Sequence, residues 1–205
     1  MKAPKEITPG DAFPVVFLTV VVTIAVVALT LTDMVTRDLI EQQREREIER
    51  ILEDLYPDMD GFEEIEEIYL ILVDGDAEGT PASDYGIEGN RTVIGYAFLA
   101  EGEGYAGGIQ ILVGIGHDLG TPTLVGIKVI SHAETPGLGA RITETSFQDQ
   151  FAGLSVEDVR LTDDGGRIDA ISGATISSRA VVDAVHDAMS EKVEVLLGMS
   201  GGGAG

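Results

Sequence analysis

The chain has 205 residues, no cysteine, and 36 acidic against 13 basic side chains, for a formal charge of −23. Without cysteine there can be no disulfide, iron–sulfur cluster, thiolate metal site or cysteinyl flavin. The charge argues against non-specific nucleic-acid binding, and a solvated acidic surface is its simplest cause.

Residues 1–11 form a polar leader carrying Lys2 and Lys5. Residues 12–32 then run without a charge, rich in Val, Leu, Ile, Phe and Thr, a length that spans the hydrocarbon of a bilayer as one helix. A cleaved signal peptide would have a shorter apolar region ending in an Ala-x-Ala-type site, and none is obvious. The expectation is a retained transmembrane helix. Charge alone leaves its orientation open: Lys2, Lys5 and the terminal amine favour an inside N-terminus, whereas Arg37, Arg44, Arg46 and Arg50 follow the span.

Residues 33–57 read as a helical stem. Ile48, Ile51, Leu52 and Leu55 recur at helical spacing, Glu and Arg alternate elsewhere, and Pro57 ends the run. Residues 58–197 follow as one domain, large enough for a core without staples. Tyr69–Val73, Thr92–Leu99, Ile109–Ile115 and Leu124–Ser131 read as strands, with a hairpin-like connection over Gly102–Gly108. Those glycines suit either a tight turn or close approach of a ligand. Thr145–Ala152 reads as a short helix, and Val159–Leu161 and Arg167–Ile171 as strands. The last helix is expected from about Ser177 to Leu197, then a flexible tail over residues 198–205. The fold class is α+β. No GxGxxG opens a helix, so a dinucleotide fold has no support.

Two stretches carry the chemistry. In Asp169-Ala170-Ile171-Ser172-Gly173-Ala174-Thr175-Ile176-Ser177-Ser178, four hydroxyls surround a Gly-Ala pair just before an apolar-periodic segment. Hydroxyl residues there suit a helix N-cap, and a helix N-terminus suits a phosphate. In His132-Ala133-Glu134-Thr135-Pro136-Gly137-Leu138-Gly139, Pro136 and two glycines make a rigid turn. His132 and Glu134 could suggest a metal or an acid–base pair, but His117 and His186 are the only other histidines, too few for a cluster of metal ligands.

The first stretch resembles the flavinylation motif of the FMN-binding domain family, which includes the G subunit of the Rnf electron-transport complex and the C subunit of the Na+-translocating NADH:quinone oxidoreductase. The Glu134–Gly139 run, followed by Phe147 and Phe151, is similar to a second family segment, and Gly95-Tyr96 with Gly104-Tyr105-Ala106-Gly107-Gly108 to a third. Ala106 departs from the pattern, standing where the Rnf protein often has Gly. The resemblance covers the chain from Phe13 to about Leu197 and implies FMN held covalently on Thr175 through a phosphoester bond. It implies Ser172, Gly173, Ala174, Ser177, Ser178, Glu134, Thr135, Gly137 and Leu138 as the rest of the cofactor site; no catalytic residue is expected, and the ligand count leaves no metal. It also implies a separate flavin transferase using FAD, and an electron-transfer role among other membrane subunits of an ion-translocating redox complex, at the cell membrane with the domain on the extracytoplasmic side. A stand-alone anchored FMN-binding sensor or scaffold is the alternative. A hydrolase using Thr175 or Ser172 has no nucleophile elbow to support it.

Overall fold

The computed structural model describes residues 17–26 and 46–200. The leader, the ends of the expected span, the first half of the stem and the residues after Ser200 lie outside them. The chain divides into two compact units, Met1–Glu49 and Arg50–Gly205.

In the first unit residues 17–26 are helical and every one is exposed. The Thr23 hydroxyl donates to the Thr19 carbonyl at 2.8 Å, so the helix satisfies this polar group itself. Among the described residues, no helix is long and apolar enough to cross a membrane. The expected span of residues 12–32 is described only over 17–26. Residues 46–55 are helical, ending just before Pro57 as the stem pattern requires.

The second unit is built on an antiparallel sheet: β1 (Gly61–Ile65), β2 (Ile68–Asp74), β3 (Thr80–Pro81), β4 (Arg91–Glu103), β5 (Gly108–Gly116) and β6 (Leu124–His132). The strands lie in the order β1-β2-β4-β5-β6, with β3 beside β4. Four of them extend the expected strands by a few residues. β1 and β3 were not legible: β1 is an edge strand reading Gly-Phe-Glu-Glu-Ile, and charge on an edge protects it from pairing with other chains while erasing the apolar alternation. A bulge opposite Ile71/Leu72 lets Val93 and Tyr96, three residues apart, face the same core.

Two helices complete the unit: α1 (Thr145–Gln148), continuing as a 3-10 turn over Asp149–Phe151, and the long α2 (Thr175–Ser200). Val181, Val182, Val185, Met189, Val193 and Leu196 of α2 share the main core with Ile68 and Leu70 of β2, Phe98 of β4 and Ile111 and Val113 of β5. Phe147 and Phe151 join that core, packed edge to face with centroids 5.6 Å apart. The opposite sheet face receives Leu55 and Tyr56. Added Cβ atoms at Gly95 and Gly114 would lie 2.5 and 2.9 Å from the Tyr56 side chain, so these strand positions are bare to admit its ring. The Tyr56 hydroxyl lies 2.8 Å from the carbonyls of both Tyr96 and Ile115.

The structure corrects three expectations. Val159–Leu161 and Arg167–Ile171 are not strands: they meet only at one parallel bridge, Leu161 with Ile168. Their apolar side chains are buried, but their backbone bonds close locally, Ile168 N–H to Arg160 C=O at 3.1 Å and Thr162 N–H to Ile168 C=O at 2.9 Å. Helix α2 starts at Thr175 rather than Ser177 and runs to Ser200 rather than Leu197. Thr175 is therefore inside the first turn, and Gly198 does not end the helix.

Candidate functional site

Both motifs fold as tight turns of the same kind. The Leu138 N–H donates to the Thr135 carbonyl at 3.2 Å, with Pro136 and Gly137 between them. Gly137 has φ +76°, so this is a type II turn with Pro and Gly at its preferred central positions. The Ala174 N–H donates to the Ile171 carbonyl at 2.9 Å, and Gly173 has φ +81°, giving a second type II turn. The turns meet: an added Cβ on Gly173 would lie 3.8 Å from Leu138 Cδ2.

The second turn delivers the chain into α2. The Ser178 N–H donates to the Ala174 carbonyl at 2.9 Å, which closes the first helical bond and makes Ala174 the N-cap. The N–H groups of Thr175, Ile176 and Ser177 have no acceptor among the described residues, as expected at a helix start. The first turn carries no acidic side chain, although the chain as a whole is strongly acidic. This end of a 26-residue helix places the positive end of the dipole at the exposed residues Thr175 and Ile176, whose N–H groups are free donors, while Ser177 beside them is buried.

The four hydroxyls separate into two pairs. Ser172 and Thr175 are exposed. Ser177 and Ser178 are buried, at 2% and 0% exposure, and both are engaged. Ser178 Oγ accepts from the Ile171 N–H and donates to the Ala174 carbonyl, each at 3.0 Å, tying the turn to the helix. The Ser177 hydroxyl donates to Glu134 Oε2. Neither offers a free oxygen to an approaching phosphorus. Asp169 is exposed; its carboxyl accepts from the Thr162 hydroxyl at 3.1 Å, and its N–H donates to Gln150 Oε1 at 2.7 Å.

Glu134 is 5% exposed and joins three segments. Its Oε1 accepts from the Ala106 N–H at 2.8 Å, on the β4–β5 connection, while Oε2 holds Ser177 on α2. Gly139, on its own loop, lies so close that a Cβ there would sit 2.1 Å from Oε2. The His132 ring contributes differently: its Nδ1 accepts from the Glu134 N–H at 3.2 Å, so the two side chains are not an acid–base pair. Among the described residues, no group of His, Asp or Glu could hold a metal ion.

Thr135, Gly137 and Leu138 are exposed at the rim. Gly102, near the end of β4, and Gly104, in the β4–β5 connection, serve packing within the protein. A Cβ at Gly102 would lie 2.5 Å from the Ala180 carbonyl, and one at Gly104 2.4 Å from Glu134 Oε1. Tyr105 and Ile176, outside the expected set of site residues, are 75% and 56% exposed. A signal existed for both: Tyr105 is an aromatic residue inside a glycine-rich hairpin, and Ile176 stands off the apolar stripe of α2.

These segments lie in a part of the chain that is similar to known proteins. Residues 104–190 match the FMN-binding domain family, a span that begins in the β4–β5 connection and includes both turns and most of α2. The G subunit of the ion-translocating oxidoreductase complex of Methanosarcina acetivorans is 38% identical over 191 residues, covering 92% of this chain and 96% of that protein. The G subunit of the Aliivibrio fischeri complex is 32% identical, covering 80% of this chain and 82% of its own length. A solved structure of the C subunit of Na(+)-translocating NADH-quinone reductase from Parabacteroides distasonis is 24% identical, covers 64% of this chain and 78% of that one, and gives a TM-score of 0.42.

Proposed function

The chain belongs to the family of G subunits of ion-translocating oxidoreductase complexes and contains its FMN-binding domain, and on that premise we propose that Thr175 carries FMN through a phosphoester bond. Any enzymatic activity is that of the complex, of which this chain is one member. The observation that carries the proposal is the placement of Thr175: an exposed hydroxyl in the first turn of α2, beside three unpartnered N–H groups.

The residues present fit such a group. A phosphodiester on Thr175 is an anion at the positive end of a long helix, in a first turn free of acidic side chains. Such placement is stabilising by about 0.3–1 kcal/mol at an exposed site. Ser172, the other exposed hydroxyl of the motif, sits in the turn before the helix. In the attachment step Thr175 Oγ forms a bond to the flavin-side phosphorus of FAD, the pyrophosphate bond breaks, AMP leaves and the hydroxyl proton is lost. A flavin transferase supplies the activation that an ordinary threonine lacks. Bound there, FMN supplies reversible one- and two-electron chemistry, and the protein supplies position and electrostatics. Thr135, Gly137 and Leu138, exposed beside Gly173, form the neighbouring wall.

The remaining parts of the proposal concern placement. Residues 12–32 anchor the chain, which agrees with every residue of the apolar helix over 17–26 being exposed. The domain stands on the extracytoplasmic side, a reading tested by a reporter fused after Leu197. The decisive experiment is the intact mass of the natively expressed chain with peptide mapping. A mass gain of one FMN less one water is expected on the peptide containing Thr175, and its loss in Thr175→Ala. Flavin recovered on a peptide without Thr175 would overturn the assignment.

A further inference from the structure

We propose that Glu134 is a positioning residue, whose buried carboxyl group pins three separated segments so that Tyr105, Leu138 and Ile176 stand as a preformed apolar platform beside Thr175. This rests on the reading of Thr175 as the flavin attachment point.

Each segment that meets Glu134 carries an exposed apolar side chain one residue earlier. Ala106 donates to Oε1 at 2.8 Å, and Tyr105 precedes it. Gly139 packs against Oε2, and Leu138 precedes it. Ser177 donates to Oε2, and Ile176 precedes it. These three side chains are 75%, 53% and 56% exposed, whereas their anchoring neighbours are held against one buried group. No cation pairs with Glu134 among the described residues; an N–H and an O–H satisfy its two oxygens. Gly104 and Gly139 lack the Cβ atoms that would enter the space its carboxyl group fills, at 2.4 and 2.1 Å. Apolar side chains on two loops and a helix start form one surface only if these segments are held together, and ordering them when the ring docks would cost conformational entropy. Fixing them beforehand removes that cost, and a buried hydrogen-bonded group of low exposure is suited to the task.

The test uses the full chain with its anchor, in detergent: wild type, Glu134→Gln, Glu134→Ala and flavin-free Thr175→Ala. Two quantities are read, amide hydrogen exchange at Ala106 and the fluorescence anisotropy of the attached flavin. Thr175→Ala should keep Ala106 as slow as in wild type, because the platform exists without flavin. Glu134→Ala should speed Ala106 exchange at least about tenfold, as expected for the loss of a buried hydrogen bond, and should lower the flavin anisotropy while β5 amides stay slow. Glu134→Gln should restore most of both, its amide oxygen accepting from Ala106 and its NH2 group donating to the Ser177 hydroxyl. If Glu134→Ala does not fold, Ser177→Ala removes one donor and should move both readouts the same way. Equal Ala106 exchange in wild type and Glu134→Ala, or fast exchange in Thr175→Ala, would overturn the proposal. Wild type without flavin on Thr175 would refute the functional reading alone, and exchange at Ala106 would still decide whether Glu134 pins the segments.

Discussion

Removing the Ser178 hydroxyl tests the division of the four motif hydroxyls into structural and accessible ones. Ser178 is completely buried, and its oxygen closes two bonds, from the Ile171 N–H and to the Ala174 carbonyl, each at 3.0 Å. In Ser178→Ala the two ends suffer unequally. The Ala174 carbonyl keeps its bond from the Ser178 N–H at 2.9 Å, so it is not orphaned. The Ile171 N–H loses the acceptor the structure shows for it, and a buried unpaired donor costs about 1–3 kcal/mol. The expected destabilisation is therefore about 2 kcal/mol, or a Tm lower by about 4–8 °C for a domain of this size. Ser172→Ala, at an exposed hydroxyl, should stay within about 0.5 kcal/mol of wild type. Thermal unfolding of the flavin-free chain, followed by far-ultraviolet circular dichroism, measures both. If Ser172→Ala costs as much as Ser178→Ala, or Ser178→Ala costs nothing, the hydroxyl assignment is wrong.

Tyr56→Phe removes the donor that stands 2.8 Å from the Tyr96 and Ile115 carbonyls; burial pushes the phenol pKa well above its ordinary value, so the group is a donor at any working pH. The expected loss is about 1–2 kcal/mol in urea denaturation, and an unchanged midpoint would contradict the buried geometry. In the opposite direction, Glu66 and Glu67 form the two-residue β1–β2 turn with φ +50° and +63°, a conformation that favours Asn-Gly. The double change Glu66→Asn with Glu67→Gly should raise stability by about 1 kcal/mol: relief of about 1–2 kcal/mol per residue is offset by the flexibility of glycine in the unfolded chain and by loss of the pair between half-buried Lys192 and exposed Glu67 at 3.6 Å. A lower denaturation midpoint would show that the turn is not strained.

Sequence alone went far where the signal is local. Short apolar runs bounded by turn-forming residues located β2, β4, β5 and β6, spacings of three and four located α2, and Pro57 marked the end of the stem, because each of these signals lies in neighbouring residues. The wording around Thr175, together with the Glu134–Gly139 run and the Gly95 to Gly108 segments, was enough to identify the family. The acidic edge strand β1 and its Glu66-Glu67 turn escaped, since edge protection uses charge where alternation would otherwise be read. The segments near Leu161 and Ile168 misled, because a buried irregular loop and a short strand look alike when each shows only two or three apolar positions. Tertiary structure decided what the sequence left open at the site. Ser172, Thr175, Ser177 and Ser178 differ little as letters, yet Glu134, 43 positions from Ser177, takes one hydroxyl, and the Ile171–Ala174 turn takes another. Accessibility is set by which distant groups fill the space around an atom, and that information exists only after the chain has folded.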